Sequence, residues 1–220
     1  MKPTQEKIFK TAIELFSQKG YNGVSIREIA RAVGIKESSI YNHYQNKDKI
    51  LETIFDYYKN QMKKTDLSEK VLDQKISQIP FEQFWTKGLT NFHKTTEDPL
   101  MEKINNIIIL EMFRDQRARD IALKELFHRQ QETIKKIFEK MQNKGIIRKD
   151  LNPEVLALEY TYPLLSLRFE YNILKNWNLE TKEVQKKMAD HIQFISKYAK
   201  SGIGGEKWWM NRTLLNDIPW

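Results

Sequence analysis

The chain has 220 residues, no cysteine, 40% hydrophobic and 30% charged residues, and a formal net charge of +8. Without cysteine there is no disulfide, no thiolate metal site and no cysteine nucleophile. No apolar run approaches the ~20 residues a membrane span needs, and the N-terminus opens in polar helix-forming sequence rather than a signal peptide, which together predict a cytoplasmic protein.

The positive charge is unevenly placed. Residues 1–65 carry twelve Lys and Arg against seven Asp and Glu. The excess sits in the N-terminal third, as binding to a phosphate backbone requires.

In chain order, residues 4–19 form a first helix whose broad apolar face is Ile8, Phe9, Ala12, Ile13, Leu15 and Phe16, with Gly20 to stop it. Ser25 then caps a second helix, and Glu28, three residues on, can reach back to the Ser25 N–H, a capping box. Ile26, Ile29, Ala30 and Val33 make its apolar stripe. Gly34 follows where the backbone must turn through a left-handed conformation. A third helix starts near Glu37, with Ile40 and Tyr44 inward and Ser38, Ser39, Tyr41, Asn42 and His43 outward. These outward groups donate and accept hydrogen bonds as base edges and phosphates require. Asn46 caps a fourth helix running from Lys47 to about Lys63, with Ile50, Leu51, Ile54, Phe55 and Tyr58 buried.

The motif GxxxxSIREIAxxxGIxxSSIYNHYxNKDxIL resembles the DNA-binding domain of the tetracycline-repressor (TetR) family. Leu15, Phe16, Gly20, Tyr21, Ser25, Ile29, Ala30, Gly34, Ile35, Tyr41, His43, Tyr44, Asn46 and Lys47 fall in register over about residues 4–55. Lys36 departs from the pattern: the family has Ser or Thr there as a cap, and a lysine cannot cap but can reach a phosphate. The resemblance implies an all-α protein with an N-terminal three-helix helix-turn-helix domain and a larger C-terminal helical domain for ligand binding and dimerisation. It implies a homodimeric repressor released by a small-molecule inducer from a double-stranded operator with inverted-repeat symmetry. The DNA-contacting set is then Ser25, Arg27, Lys36, Glu37, Ser38, Ser39, Tyr41, Asn42, His43 and Lys47. An architectural DNA-binding protein without a ligand is the alternative, against which the size of the C-terminal part argues.

The expected domains are 1–48 for DNA binding, 49–64 for a connecting helix, 65–200 for ligand and dimer, and 201–220 for a tail. Residues 65–79 read as a linker or short helix. From Pro80, Phe81, Trp85, Leu89 and Phe92 share one helical face. Asp98-Pro99 opens an isoleucine-rich helix that carries Ile108, Glu111, Met112 and Phe113. Aromatic walls with a few polar groups are what a small-molecule site uses, so these eight residues form the candidate pocket. Arg114 or a ligand cation would have to pair Glu111 if it is buried. A long helix follows over about Gln116–Asn143. The run GIIRKDLNPEV resembles the family's connection into its last two helices, opened by Pro153 and by Glu180 or Thr181. Those helices pair with their copies in the family's dimers, and Pro163 should kink the first of them. The tail holds three of the five tryptophans and is expected to dock. His43, His93, His128 and His191 have no metal-binding spacing, and there is no glycine-rich phosphate loop. No catalytic residue, metal or cofactor is therefore expected.

Overall fold

The computed structural model describes residues 2–64, 68–79, 83–85 and 98–200. The helices in chain order are α1 (Pro3–Lys19), α2 (Ile26–Val33), α3 (Glu37–Tyr41), α4 (Lys47–Lys64), α5 (Glu69–Gln78), α6 (Pro99–Glu111), α7 (Gln116–Ile121), α8 (Arg129–Asn143), α9 (Pro153–Asn176) and α10 (Lys182–Lys200). There is no strand among the described residues. The expected all-α architecture is the one observed, with the three-helix head at the N-terminus and the larger helical part after it.

Each local signal in the head has a structural counterpart. Ser25 Oγ accepts from the Glu28 N–H at 3.1 Å. The Glu28 carboxyl is held below its ordinary value, chiefly by the Lys19 ammonium and in lesser part by the Ser25 backbone N–H. The Ser25 half of the capping box thus forms, and the Glu28 carboxylate is held by Lys19. Gly34 ends α2 at φ 80°, the left-handed conformation in which a Cβ costs energy. Lys7 of α1 caps the same helix end, donating from Nζ to the Val33 carbonyl at 2.9 Å. Asn46 Oδ1 accepts from the Lys49 N–H at 2.8 Å and so starts α4.

Two apolar cores result. The first joins Ile8, Ile13 and Phe16 of α1 to Ile29 and Val33 of α2, Ile40 of α3 and Ile54 and Phe55 of α4. It continues without a break into Ile104, Ile107 and Ile108 of α6 and Ala118 and Ile121 of α7. The head thus shares its core with the first helices of the C-terminal part. The second core brings together Leu72 and Ile76 of α5, Trp85, Phe138 and Met141 of α8, Leu156 and Tyr160 of α9, and Ile192 and Ile195 of α10. The segment expected to be a linker or short helix contains α5, started by Ser68 Oγ accepting from the Val71 N–H at 3.4 Å.

The long helix expected over about Gln116–Asn143 is not a uniform α-helix. Between α7 and α8 the ladder widens over Ala122–His128 into a π-helical turn, with bonds from residue i to i+5. Pro163 lies inside α9, which runs on through it to Asn176.

Candidate DNA-reading surface and its junction with the C-terminal helices

The α3 backbone leaves only one way for its side chains to face. Ile40 is fully buried and Tyr44 almost so, which turns Glu37, Ser38, Tyr41 and Asn42 to the surface. Tyr41 is 51% exposed, a large ring half in water. Ser39 and His43 are half-buried. The helix is shorter than its polar run implies: it ends at Tyr41, Asn42 is its cap, and His43 lies in the following turn, its N–H donating to the Ile40 carbonyl at 2.9 Å. Lys36 stands at the start of α3 without a capping side-chain bond, as its chemistry dictates. Ser25, Arg27 and Lys36 are exposed on the same head.

Lys47 is placed differently from a free phosphate contact. Its ammonium donates to the carbonyls of Tyr21 at 3.0 Å and Val24 at 2.9 Å, and lies 4.0 Å from the centroid of the Tyr21 ring. It braces the α1–α2 loop against α4, with one of its three N–H groups left for a phosphate.

The same loop is tied to the C-terminal helices. Glu111 at the end of α6 is 3% exposed, and its Oε1 accepts from the Tyr21 N–H at 2.8 Å. Its partner among the described residues is this backbone N–H of the head rather than Arg114. Gly20 has φ 71°, and a Cβ there would stand 3.2 Å from Glu111 Oε1, so glycine suits both the backbone and the approach. Arg117 of α7 holds both oxygens of Asp48 in the first turn of α4, at 3.0 and 2.6 Å, and also Asp115 at 2.7 Å. No local sequence signal points to this junction, because its partners are 90 and 69 residues apart.

Asp115 caps α7 and faces Arg117. Its carboxyl is held below the ordinary 3.8, chiefly by the Arg117 hydrogen bond and against the opposing effect of burial. A depressed folded pKa stabilises the fold above the unfolded value and loses that contribution as pH falls through the folded one. Asp115→Asn keeps the cap and removes the charge. The stability difference between wild type and this variant should be constant above pH about 5 and shrink below the ordinary 3.8. Denaturant titrations from pH 3 to 7 measure it. A difference that does not change with pH excludes the charge as its source.

Among the described residues, those expected to line a pocket do not converge. Trp85 sits in the second core, its ring 4.9 Å from that of Phe138 and 4.8 Å from that of Tyr160. Ile108 and Met112 belong to the first core, Glu111 is buried against the head at the Tyr21 N–H, and Phe113 is 87% exposed. Phe81, Leu89 and Phe92 lie outside the described residues, as does the tryptophan-rich tail. Phe138 and Tyr160 are the partners of Trp85 that sequence reading did not join to it. Burial pushes the Tyr160 phenol well above its ordinary value, so it stays a neutral donor. No group of His, Asp and Glu able to hold a metal ion occurs among the described residues, and no described helix is long and apolar enough to cross a membrane.

A capped helix, a tight left-handed turn and a second helix with a polar outer face define a helix-turn-helix protein. Residues 8–54 match the family described as "Bacterial regulatory proteins, tetR family". The biofilm operon icaADBC negative transcriptional regulator IcaR of Staphylococcus epidermidis is 43% identical over 58 residues, 24% of this chain and 31% of that protein. IcaR of Staphylococcus aureus is 43% identical over 60 residues, 26% of this chain and 32% of its own length. The match therefore spans about a third of these curated relatives. Among solved structures, a TetR-family regulator of Syntrophomonas wolfei superposes with a TM-score of 0.62 at 15% identity, over 92% of this chain and 99% of that one. SmeT in complex with triclosan gives 0.61 at 14% identity, over 92% and 94%. The N-terminal domain thus matches the TetR family over residues 8–54, and over nearly its whole length the chain has the fold of TetR-family regulators.

Proposed function

We propose that the protein is a homodimeric transcriptional repressor, cytoplasmic, that binds an inverted-repeat DNA operator and leaves it when a small molecule binds. The observation that carries this reading is the α3 surface: Ile40 anchored at 0% exposure, with Glu37, Ser38, Tyr41 and Asn42 presented outward by the Gly34 turn. A short rigid helix with such groups at its N-terminal end fits the major groove. Ser38, Ser39 and Asn42 face base edges and Glu37 can accept from a cytosine amine. Ser25, Arg27, Lys36, Tyr41, His43 and Lys47 hold the backbone. IcaR is a negative transcriptional regulator, which supports repression here.

Two copies are needed to read two half-sites. Tyr162, Ile173, Trp177 and Leu179 on and after α9, with Phe194 on α10, are each 48% or more exposed. An apolar surface of that kind on two adjacent helices fits a second copy of the chain. Ligand response is supported by the SmeT–triclosan complex, and the aromatic group of Trp85, Phe138 and Tyr160 is where a flat apolar inducer would compete for packing.

The test begins with selection of bound duplexes from a random-sequence pool. Asn42→Ala should then cost ~1–3 kcal/mol on the selected sequence and relax preference at one base pair of each half-site. Enrichment of no sequence, or equal losses on selected and random duplex, would refute direct readout by α3.

A further inference from the structure

The helical run from Gln116 to Asn143 meets α4 at both of its ends. Arg117 of α7 grips Asp48 in the first turn of α4 through two bonds. Arg129, the first residue of α8, donates from Nη2 to the carbonyl of Met62 near the other end of α4. Its Nη1 donates at 2.8 Å to Glu125, a carboxylate only 9% exposed. A guanidinium that binds a helix's last carbonyls satisfies acceptors that the helix itself cannot.

Both arginines can reach one neighbouring helix only if they share a face. Twelve steps of unbroken α-helix, at about 100° each, would leave Arg117 and Arg129 about 120° apart. Between them lies the π-helical turn Ala122–His128. A wider turn that absorbs one residue's rotation leaves eleven effective steps, which puts the two side chains about 20° apart. The turn is what aligns them. It also meets α9: Leu126, Phe127 and Gln131 lie against Thr161, Tyr162 and Leu165, beside Pro163, with no room for a water molecule between them. A proline removes one N–H from the ladder of α9 at the level of that contact.

We propose that the π-helical turn is a register element: it brings Arg117 and Arg129 onto one face, so that together they clamp α4 near both of its ends. Arg117 and Arg129 are on this account positioning residues for the DNA-reading surface. The inference rests on the proposed reading of that surface for its functional consequence, and on the geometry alone for the clamp.

The absence of cysteine allows spin labels at Asn60→Cys on α4 and Lys136→Cys on α8, both exposed. The parent protein should give one narrow intrachain distance. Arg129→Met should broaden it with helix content unchanged, and weaken binding to the selected operator on the order of tenfold. Deleting Lys124, an exposed residue of the turn, yields an unbroken α-helix with the arginines still aligned, so distance and affinity should both persist. Inserting one alanine after Lys124 rotates Arg129 by about 100° and should broaden the distance as Arg129→Met does. A narrow distance in Arg129→Met, or equal broadening in the folded deletion and insertion variants, overturns the clamp. Distances that behave as stated in a protein that selects no duplex would sink the DNA reading and leave the clamp standing.

Discussion

Phe16→Ala is expected to be among the most damaging single substitutions in the chain, costing about 3–5 kcal/mol. The ring is fully buried and meets Tyr21 edge-on at 5.5 Å. Truncation removes the transfer free energy of the ring and leaves a void that α1, α2 and α4 cannot all collapse into. For a chain of this size the midpoint of thermal unfolding should fall by about 6–20 °C. The loss should not stay local. The head shares its core with α6 and α7, so calorimetry should show the transition of these helices shifted together. A loss under about 1 kcal/mol, or a head transition that separates from the rest, would show that the shared core is not cooperative.

The second large effect is on assembly. Ile173 and Phe194 are 60% and 55% exposed on adjacent helices. Carboxylates there remain solvated in a monomer but must be desolvated in a dimer that covers them. Ile173→Glu combined with Phe194→Glu should therefore leave the fold intact and halve the particle, from about twice the 26.3 kDa chain mass to one chain. Linked half-site binding gains an effective concentration that separate heads lack. Operator affinity should fall by about 10²–10⁴-fold while affinity for random duplex changes far less. Light scattering and a binding titration read the two quantities separately. A double variant that stays dimeric would place the partner elsewhere.

The salt bridges scattered over the surface carry less. Most join exposed Lys, Arg, Asp and Glu, such as Lys10–Glu6 and Lys49–Glu52, and pairs of that kind contribute about 0–1 kcal/mol. Two groups at the junction are better placed: Arg129–Glu125 is largely withdrawn from water, and Arg117 makes four side-chain bonds to Asp48 and the half-buried Asp115. Breaking either leaves a partly buried charge without its partner, which is where such pairs become costly to lose.

The head was legible residue by residue in the sequence because its signals are local. A cap and its N–H lie three residues apart at Ser25 and Glu28, the left-handed turn is one glycine, and the buried side of α3 follows from Ile40 and Tyr44. The isoleucine-rich run likewise marked α6, and Pro153 and Glu180 or Thr181 marked the starts of the last two helices. Periodicity says which side of a helix is apolar, not which neighbour covers it. So Ile108 and Trp85, expected to share a pocket, belong to different cores. Glu111, expected to need a cation, takes a backbone N–H from the head instead. The bracing contacts of Lys47 were hidden for the same reason, since the carbonyls it meets belong to a loop over twenty residues away. The π-helical turn was also invisible, because Ala122–His128 has the composition of any amphipathic helix. What it aligns lies far off in the chain: Arg117 and Arg129 meet α4, and Leu126 and Phe127 lie against α9. Local hydrogen bonding thus wrote the DNA-reading head into the sequence. The junction that positions it came only with the tertiary structure, where residues far apart in the chain meet across packed helices.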